Sequence, residues 1–360
     1  MDAEDSTLTC PPEREARRWT RREFVAGAAT LIASATTARA GHVPQAPSSV
    51  QTVTGPIAAD RLGLTLMHEH VLVDFIGAEQ VSRSRYDSDL AFKMILPHLE
   101  QLKRRGCETL VECTPAYLGR DVVLLQRLSK ASGLNIITNT GYYGAAKDKH
   151  LPAHAFAETA EQLAARWIRE AETGIDGTSI KPAFMKIGVD GAPLSDADAK
   201  LVQAAALTSR ATGLPIASHT TSGAAALAEI EILARANVQA AAFIWVHAHN
   251  ERDSSFHVRA AKAGAWVEFD GVAEESVGRH VELIVMMKAQ GLIDRVLVSH
   301  DAGWFRVGEP DGGAFRPFDT VFTKLVPALG EAGVTKEEIR LLLVHNPARA
   351  LTSRRERTAL

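Results

Sequence analysis

The strongest constraint on this chain is a repeat. Eight short apolar runs, at 64–73, 109–113, 135–140, 183–189, 215–219, 242–247, 265–269 and 296–299, alternate with loops and amphipathic stretches. The runs are rich in Val, Ile and Leu and almost unbroken in apolarity, the pattern of strands covered on both faces. Between them, 89–105, 121–132, 155–173, 196–212, 223–236, 254–263 and 276–290 carry apolar residues at helical spacing. Asp196, Ser222 and Ser254 stand where helix N-caps belong, and Gly133, Gly174, Gly213 and Gly264 stand at the C-terminal ends. Pro97 is expected to kink the first helix or to begin its second half. This alternation over about 300 residues predicts an α/β fold, a closed parallel (β/α)8 TIM barrel. No G-x-G-x-x-G follows the first run, which counts against an open dinucleotide-binding sheet.

The first forty residues stand outside the repeat. Arg17-Arg18-Trp19-Thr20-Arg21-Arg22-Glu23-Phe24-Val25 holds an arginine pair at Arg21-Arg22, and a weakly apolar stretch runs from Val25 to Ala35. Ala38-Arg39-Ala40 then offers a small-x-small cleavage site. This order is similar to a twin-arginine signal peptide over 1–40, which implies passage through the twin-arginine export machinery to the periplasm or the exterior. Residues 41–55 read as a linker and 56–353 as the barrel. The stretch Val25–Ala35 is too short to span a bilayer and no later run reaches that length, so no stable membrane insertion is expected. A formal charge of −3 gives no electrostatic footprint for nucleic acid. Cys107 and Cys113 lie beyond the cleavage site; they can form one disulfide in an oxidising compartment, but their spacing is not that of a zinc site.

Histidine is where the repeat turns to chemistry. The chain has 13, and several stand at the ends of apolar runs. The first run holds Met67-His68-Glu69-His70; residues two apart on a strand share a face, so His68 and His70 point into the barrel and Glu69 away. The fifth run ends at His219, the sixth at His247 with His249 close behind, and the eighth at Asp301, while Lys186 interrupts the fourth. A buried ammonium without a partner is strongly disfavoured, because it is stripped of water. Each residue alone has a plainer reading: His219 as a hydrogen-bonded core histidine, Asp301 as a loop-capping carboxylate, Lys186 as a side chain snorkelling at the rim. Compatible ligands from five strand ends, all at the end of the barrel where active sites form, instead make the pattern of a metal centre.

Together these residues resemble the phosphotriesterase family of the amidohydrolase superfamily. Val111-Glu112-Cys113-Thr114 and Gly119-Arg120-Asp121 are similar to the family's second-strand signature, Thr140-Gly141-Tyr142-Tyr143 to its third-strand aromatic turn, and Asn346-Pro347 to its C-terminal helix motif. The resemblance implies two divalent cations, with zinc the expected metal. It makes His68, His70 and Asp301 ligands of the more buried ion and His219 and His247 ligands of the more exposed one. It also implies that Lys186 is carboxylated on its side-chain nitrogen and bridges the two, which would turn a disfavoured buried cation into an anion that two dications stabilise. The implied reaction is hydrolysis of a small-molecule lactone, carboxyl ester or organophosphate ester by a hydroxide between the metals. Asp301 would take up the proton of that nucleophile, and Tyr143 would stand beside the exposed metal as a hydrogen-bond donor.

Some positions depart from the family pattern. Val246 rather than Gly precedes His247, the nearest acids downstream are Glu251 and Asp253, and His249 competes with His247 for the sixth-strand ligand position. Gly271, after the Phe269-Asp270 pair, stands where some lactone-cleaving relatives carry Arg. The segment Gly303–Pro317, with Trp304, Phe305 and Phe315, is expected to wall the barrel mouth or to form a homodimer contact. Two other functions stay open on these residues. A single-metal barrel enzyme such as a deaminase would leave Lys186 without a role and would need a glutamate after the fifth strand, where Thr220-Thr221-Ser222 stand. A metal-binding exported protein without catalysis would share the ligands and turn over no ester.

Overall fold

The computed structural model describes residues 49–352; the stretch read as a signal peptide, residues 41–48 and residues 353–360 lie outside the described residues. Its frame is β1 Thr65–Val73, β2 Thr109–Glu112, β3 Asn135–Ile137 (resumed at Asn139–Thr140), β4 Phe184–Gly188, β5 Ile216–His219, β6 Phe243–Val246, β7 Trp266–Phe269 and β8 Val296–Val298. Each strand pairs in parallel with the next, with Gly188 opposite His219 and Phe269 opposite Val298. All nine residues of β1 and all five of β4 are buried, which is why their apolarity is nearly continuous. One buried apolar cluster takes a side chain from every strand: Met67, Val111, Ile137, Phe184, Ala217, Ile244, Trp266 and Leu297 in chain order.

The ring closes through the main chain just past β8. Asp301 N–H donates to the His68 carbonyl at 3.0 Å, and His70 N–H donates to the Ala302 carbonyl at 2.9 Å. Beyond them Gly303–Arg306, expected as loop, is a strand lying parallel to β1 with Gly303 opposite His70. Glu69 fastens the same seam. It points away from the His68–His70 face but is fully buried, and Oε1 accepts from Ser299 Oγ at 2.8 Å and His300 N–H at 3.0 Å, while Oε2 accepts from Ala302 N–H at 2.8 Å. His300 Nδ1 stands 2.7 Å from Oε1, and Val321 N–H donates to His300 Nε2 at 2.9 Å, so the imidazole proton sits on Nδ1 and is given to Glu69. A carboxylate with this many donors can be buried without being orphaned.

Around the strands run α1 Ser88–Arg104, α2 Val122–Ser132, α3 Ala160–Thr173, α4 Asp196–Thr212, α5 Gly223–Arg235, α6 Ser254–Ala263 and α7 Val277–Ala289. Helix α1 runs on through Pro97. The expected 155–173 helix is divided into Ala153–Ala157 and α3, because Thr159 and Gln162 form a reciprocal capping box between them. Ser195 rather than Asp196 caps α4, and Asp253 rather than Ser254 caps α6. In both places two adjacent residues are cap-competent, and the helical pattern does not say which one the chain leaves extended. Gly133 and Gly213 end α2 and α4 in the left-handed region, at φ 71° and 78°. Part of the segment read as a linker is ordered: Ser49–Thr52 pairs antiparallel with Gly55–Ala58, and Val53 N–H donates to the Ile136 carbonyl at 2.9 Å. Cys107 and Cys113 are both buried and free, so no disulfide joins them. Among the described residues no helix is long and apolar enough to cross a membrane.

Candidate metal centre

At the C-terminal ends of the strands, β1 supplies His68 and His70, β4 Lys186 and β5 His219; His247, Asp270 and Asp301 follow β6, β7 and β8. The Nε2 atoms of His68 and His70 lie 3.2 Å apart. Asp301 Oδ1 is 3.2 Å from the Nε2 of His70 and 3.7 Å from that of His68. This oxygen is buried and has no hydrogen-bond partner among the described residues. Two imidazole nitrogens and a carboxylate oxygen turned on one point, the oxygen without a hydrogen-bond partner, fit a divalent cation. Among the described residues, His68, His70 and Asp301 form one of two groups whose ligand atoms lie within 4.8 Å of one another, and His68, His247 and Asp270 form the other.

Outer partners decide which imidazole nitrogen faces the centre. Thr114 Oγ1 stands 2.8 Å from His70 Nδ1. Asp270 Oδ2 stands 2.8 Å from His68 Nδ1, and its Oδ1 stands 2.9 Å from His247 Nδ1. With Nδ1 hydrogen-bonded, His70 and His247 keep Nε2 for a metal, and Asp270 touches the rings of both His247 and His68 as a clamp. The His219 ring adjoins that of His247 at 4.4 Å between centroids, and the Tyr143 hydroxyl is 3.1 Å from His219 Nδ1. Lys186 is 2 % exposed, with Nζ 5.6 Å from the centre of the Tyr143 ring.

Burial sets the charge states. It lowers His68 to about 4 and takes His219 well below the imidazole range, the neighbouring His247 and Lys186 adding to the effect on His219, so both are neutral imidazoles at pH 7. Burial also lowers the Lys186 ammonium. It would raise Asp270 and Asp301, but the imidazoles of His247 and His68 hold Asp270 well below the carboxylate range, and those of His70 and His68 hold Asp301 below it. Glu268 goes the other way, pushed well up by burial and then by the Asp270 charge. Tyr143 is raised by burial and by the charge of Asp301, so it remains a phenol able to donate.

The strand alternation that would set His247 and His249 on one face ends too early. Strand β6 stops at Val246, and His247 takes a left-handed conformation at φ 63°. His249 nevertheless returns to the clamp, with Nδ1 3.1 Å from Asp270 Oδ1. Its ring fills the space beside Gly271, where a Cβ would lie 2.3 Å from His249 Nε2, so a side chain at 271 would have to displace that ring. Glu251 and Asp253 are helix caps here: Glu251 accepts from Gly223 N–H at the start of α5, and Asp253 accepts from Ser255 N–H at the start of α6. The second acid at the centre, beside Asp301, is Asp270, to which the sequence pattern assigns no role. Its signal is present in Trp266-Val267-Glu268-Phe269-Asp270, where two acids at alternate positions share a face of an otherwise apolar strand. Phe305 is not part of the mouth, being buried with Gly312 against its ring. The wall is Trp304 and Phe75, whose rings are 5.5 Å apart, with Trp304 5.7 Å from His70.

The model of the phosphotriesterase family matches residues 48–351, which include every strand of the barrel and every residue of this centre. The chain belongs to the phosphotriesterase family. It is similar to the phosphotriesterase homology protein of Escherichia coli (strain K12), at 28% identity over 293 residues covering 80% of this chain and 98% of that one. It is 24% identical over 302 residues to the aryldialkylphosphatase of Saccharolobus solfataricus, covering 81% of this chain and 95% of the relative. It is 26% identical over 346 residues to the N-acetyltaurine hydrolase of Salmo salar, covering 84% and 97%. A solved structure described as "Molecular Engineering of Organophosphate Hydrolysis Activity from a Weak Promiscuous Lactonase Template" matches with a TM-score of 0.76 and 26% identity, over 84% of this chain and 99% of that one. Family membership and the two ligand groups together make this phosphotriesterase-family chain a metal-dependent hydrolase.

Proposed function

We propose that the protein hydrolyses lactone-like esters ahead of phosphotriesters, with two divalent cations, zinc by expectation, held by His68, His70, Asp301, His219, His247 and a carboxylated Lys186. The observation that carries this reading is the buried, unpartnered Oδ1 of Asp301 turned on the Nε2 atoms of His68 and His70. Bound cations of this kind lower the pKa of water and polarise a carbonyl or phosphoryl oxygen. The protein's own residues supply the rest. Burial favours the neutral amine of Lys186, the form that adds carbon dioxide, and the resulting anion is one that dications stabilise. Asp301, with its side chain 22% exposed, is the ligand open enough to take up a proton and pass it outward. Export through the twin-arginine route, read from Arg21-Arg22, belongs to the same proposal, because that route carries proteins already folded around their cofactors.

Elemental analysis is expected to find two divalent cations per chain, and a fully active sample with one or none would overturn the binuclear reading. Substrate choice must come from the pocket, since such a centre acts on a planar carbonyl or a tetrahedral phosphorus alike. The names of the relatives span an organophosphate and an acylated amine, so the panel that tests the ranking holds lactones, aryl esters, phosphotriesters and N-acyl amides. Efficient phosphotriester or amide turnover with lactone cleavage at background would reverse it. The lactone preference rests on Tyr143 as a donor to the carbonyl or ring oxygen as charge develops, and on Phe75 and Trp304 as a wall for an alkyl chain. Tyr143→Phe is therefore expected to lower kcat/KM for lactones more than for phosphotriesters, by about 1–3 kcal/mol. Equal losses on matched substrates would count against this role.

A further inference from the structure

Tyr143 reaches the centre from a loop whose backbone is unusual. Ala146, Lys147 and Asp148 have φ of 62°, 57° and 60°, three successive residues with side chains in the left-handed region. The turn is closed by Asp148 N–H donating to the Gly144 carbonyl at 3.0 Å. L-residues enter this region singly as a rule, because Cβ crowds the following carbonyl. A run of three has to be held from outside. The holder is Asp190, whose Oδ1 accepts from Ala146 N–H at 2.8 Å and whose Oδ2 accepts from Lys147 N–H at 3.0 Å. Successive main-chain donors on the two oxygens of one carboxylate single out this conformation.

The clamp is continuous with the strand that carries the candidate bridging lysine. Asp190 lies two residues beyond Gly188 and four beyond Lys186. Gly188 is the seat of the tyrosine: a Cβ there would lie 2.9 Å from Tyr143 Cδ2 and 3.2 Å from His219 Cβ. Gly144 N–H donates to the Gly188 carbonyl at 3.0 Å, which ties the start of the turn to the same strand end. On its far side the turn delivers His150, whose ring is 6.0 Å from that of Tyr143 and 6.2 Å from that of Phe75. Both ends of the turn thus set residues beside the centre, and one exposed carboxylate holds the N–H groups of its first two left-handed residues.

We propose that Asp190 is a positioning residue for hydrolysis: by pinning the left-handed turn at 146–148 it holds Tyr143 against His219 and His150 beside Phe75. The catalytic part of this inference rests on the function proposed above for Tyr143; the clamp on the turn does not. Asp190 is exposed, so its removal leaves the barrel core untouched.

The test uses the metal-loaded full chain, with amide hydrogen exchange and steady-state kinetics on the panel substrate that the wild type turns over fastest. In Asp190→Ala, exchange at Ala146 and Lys147 is expected to rise, metal content to stay unchanged, and kcat to fall roughly 10-fold with little change in KM, the scale of losing an outer orienting partner. Asp190→Asn, which keeps one acceptor, falls between. On a Tyr143→Phe background the same Asp190→Ala change is expected to cost less than about twofold, because the group it positions has lost its hydroxyl. Glycine at both 146 and 147 is expected to restore most of the kcat of Asp190→Ala, since glycine takes up the left-handed backbone without a clamp. Unchanged exchange at 146 and 147 in Asp190→Ala, or an equal kcat loss with and without the Tyr143 hydroxyl, would overturn the proposal. A wild type that turns over nothing in the panel would sink the functional reading alone, and the exchange result would still decide whether Asp190 holds the turn.

Discussion

Lys186→Ala is expected to remove most hydrolysis, by more than about 100-fold, while leaving the barrel folded. Lys186 is 2 % exposed between the buried Met185 and Ile187, so truncation opens a cavity; it also removes an amine whose charge burial disfavours, and the two effects on stability oppose each other. Activity has no such compensation. The carboxylated side chain proposed at this position would be the one ligand offering an oxygen to both cations, and alanine offers neither an oxygen nor a charge. Metal content per chain is therefore expected to fall with activity, and thermal melts to lose part of the metal-dependent gain in Tm. Short carboxylic acids added at millimolar concentration are expected to restore part of the rate, because a small carboxylate fits the volume vacated and carries the missing charge. Full activity in Lys186→Ala, or an electron-density map of the wild type showing a bare amine distant from both ions, would remove this role.

The barrel was legible because its strands are buried on both faces, and a short, almost unbroken apolar run such as β6 between turn residues is what such burial demands. Among the proposed ligands on the strands themselves, His68 and His70 follow from alternation, Lys186 from a charge interrupting an apolar run and His219 from its place at a run's end. What alternation cannot reach is the residue one step beyond a strand. His247 and Asp301 adopt φ of 63° and 53°, so their side chains turn to the centre by a backbone conformation that no period-two rule describes. The strand Gly303–Arg306 reads as loop because its partner is β1, more than two hundred residues away in sequence, and nothing local marks the pairing. That pairing also separates Trp304 from Phe305, since neighbours on a strand face opposite sides; read as loop, both would line the mouth. The left-handed turn at 146–148 is equally silent, for Ala-Lys-Asp lacks the Gly or Asn that usually announces φ above zero, and its cause lies in a carboxylate beyond another strand.

Asp270→Ala is expected to be the most damaging single change outside the proposed ligand set, on both metal affinity and stability. The carboxylate is fully buried and stands 2.8 Å from His68 Nδ1, 2.9 Å from His247 Nδ1, 3.1 Å from His249 Nδ1 and 3.2 Å from His247 N–H. Alanine leaves the Nδ1 and the main-chain N–H of His247 buried without an acceptor, removes the charge in contact with His68 and His249, and frees these rings to rotate or to change tautomer. Removing one partner from such a buried cluster costs about 3–5 kcal/mol, and losing the outer carboxylate of ligating histidines weakens metal binding roughly 10–100-fold. Asp270→Asn separates charge from shape. Its amide oxygen can replace one carboxylate oxygen, but its NH2 then faces an imidazole Nδ1; that ring must present a lone pair there and carry its proton on Nε2, which blocks the nitrogen needed for a metal. The isosteric variant is therefore expected to fold better than Asp270→Ala and to bind metal no better. The pH of the measurement follows from the direction of the shift. The imidazoles of His247 and His68 hold the folded carboxyl well below its ordinary range, so its stabilisation is complete above the unfolded carboxylate's pKa and is lost only as pH falls through the depressed folded value. Melts at pH 7, with and without a chelator, thus report the full effect, and Glu251→Gln, which alters a cap on α5 and no imidazole of the centre, serves as the control. An Asp270→Ala protein that binds two cations with wild-type affinity and gains as much Tm from them as the wild type would show that this carboxylate does not hold the histidines in place.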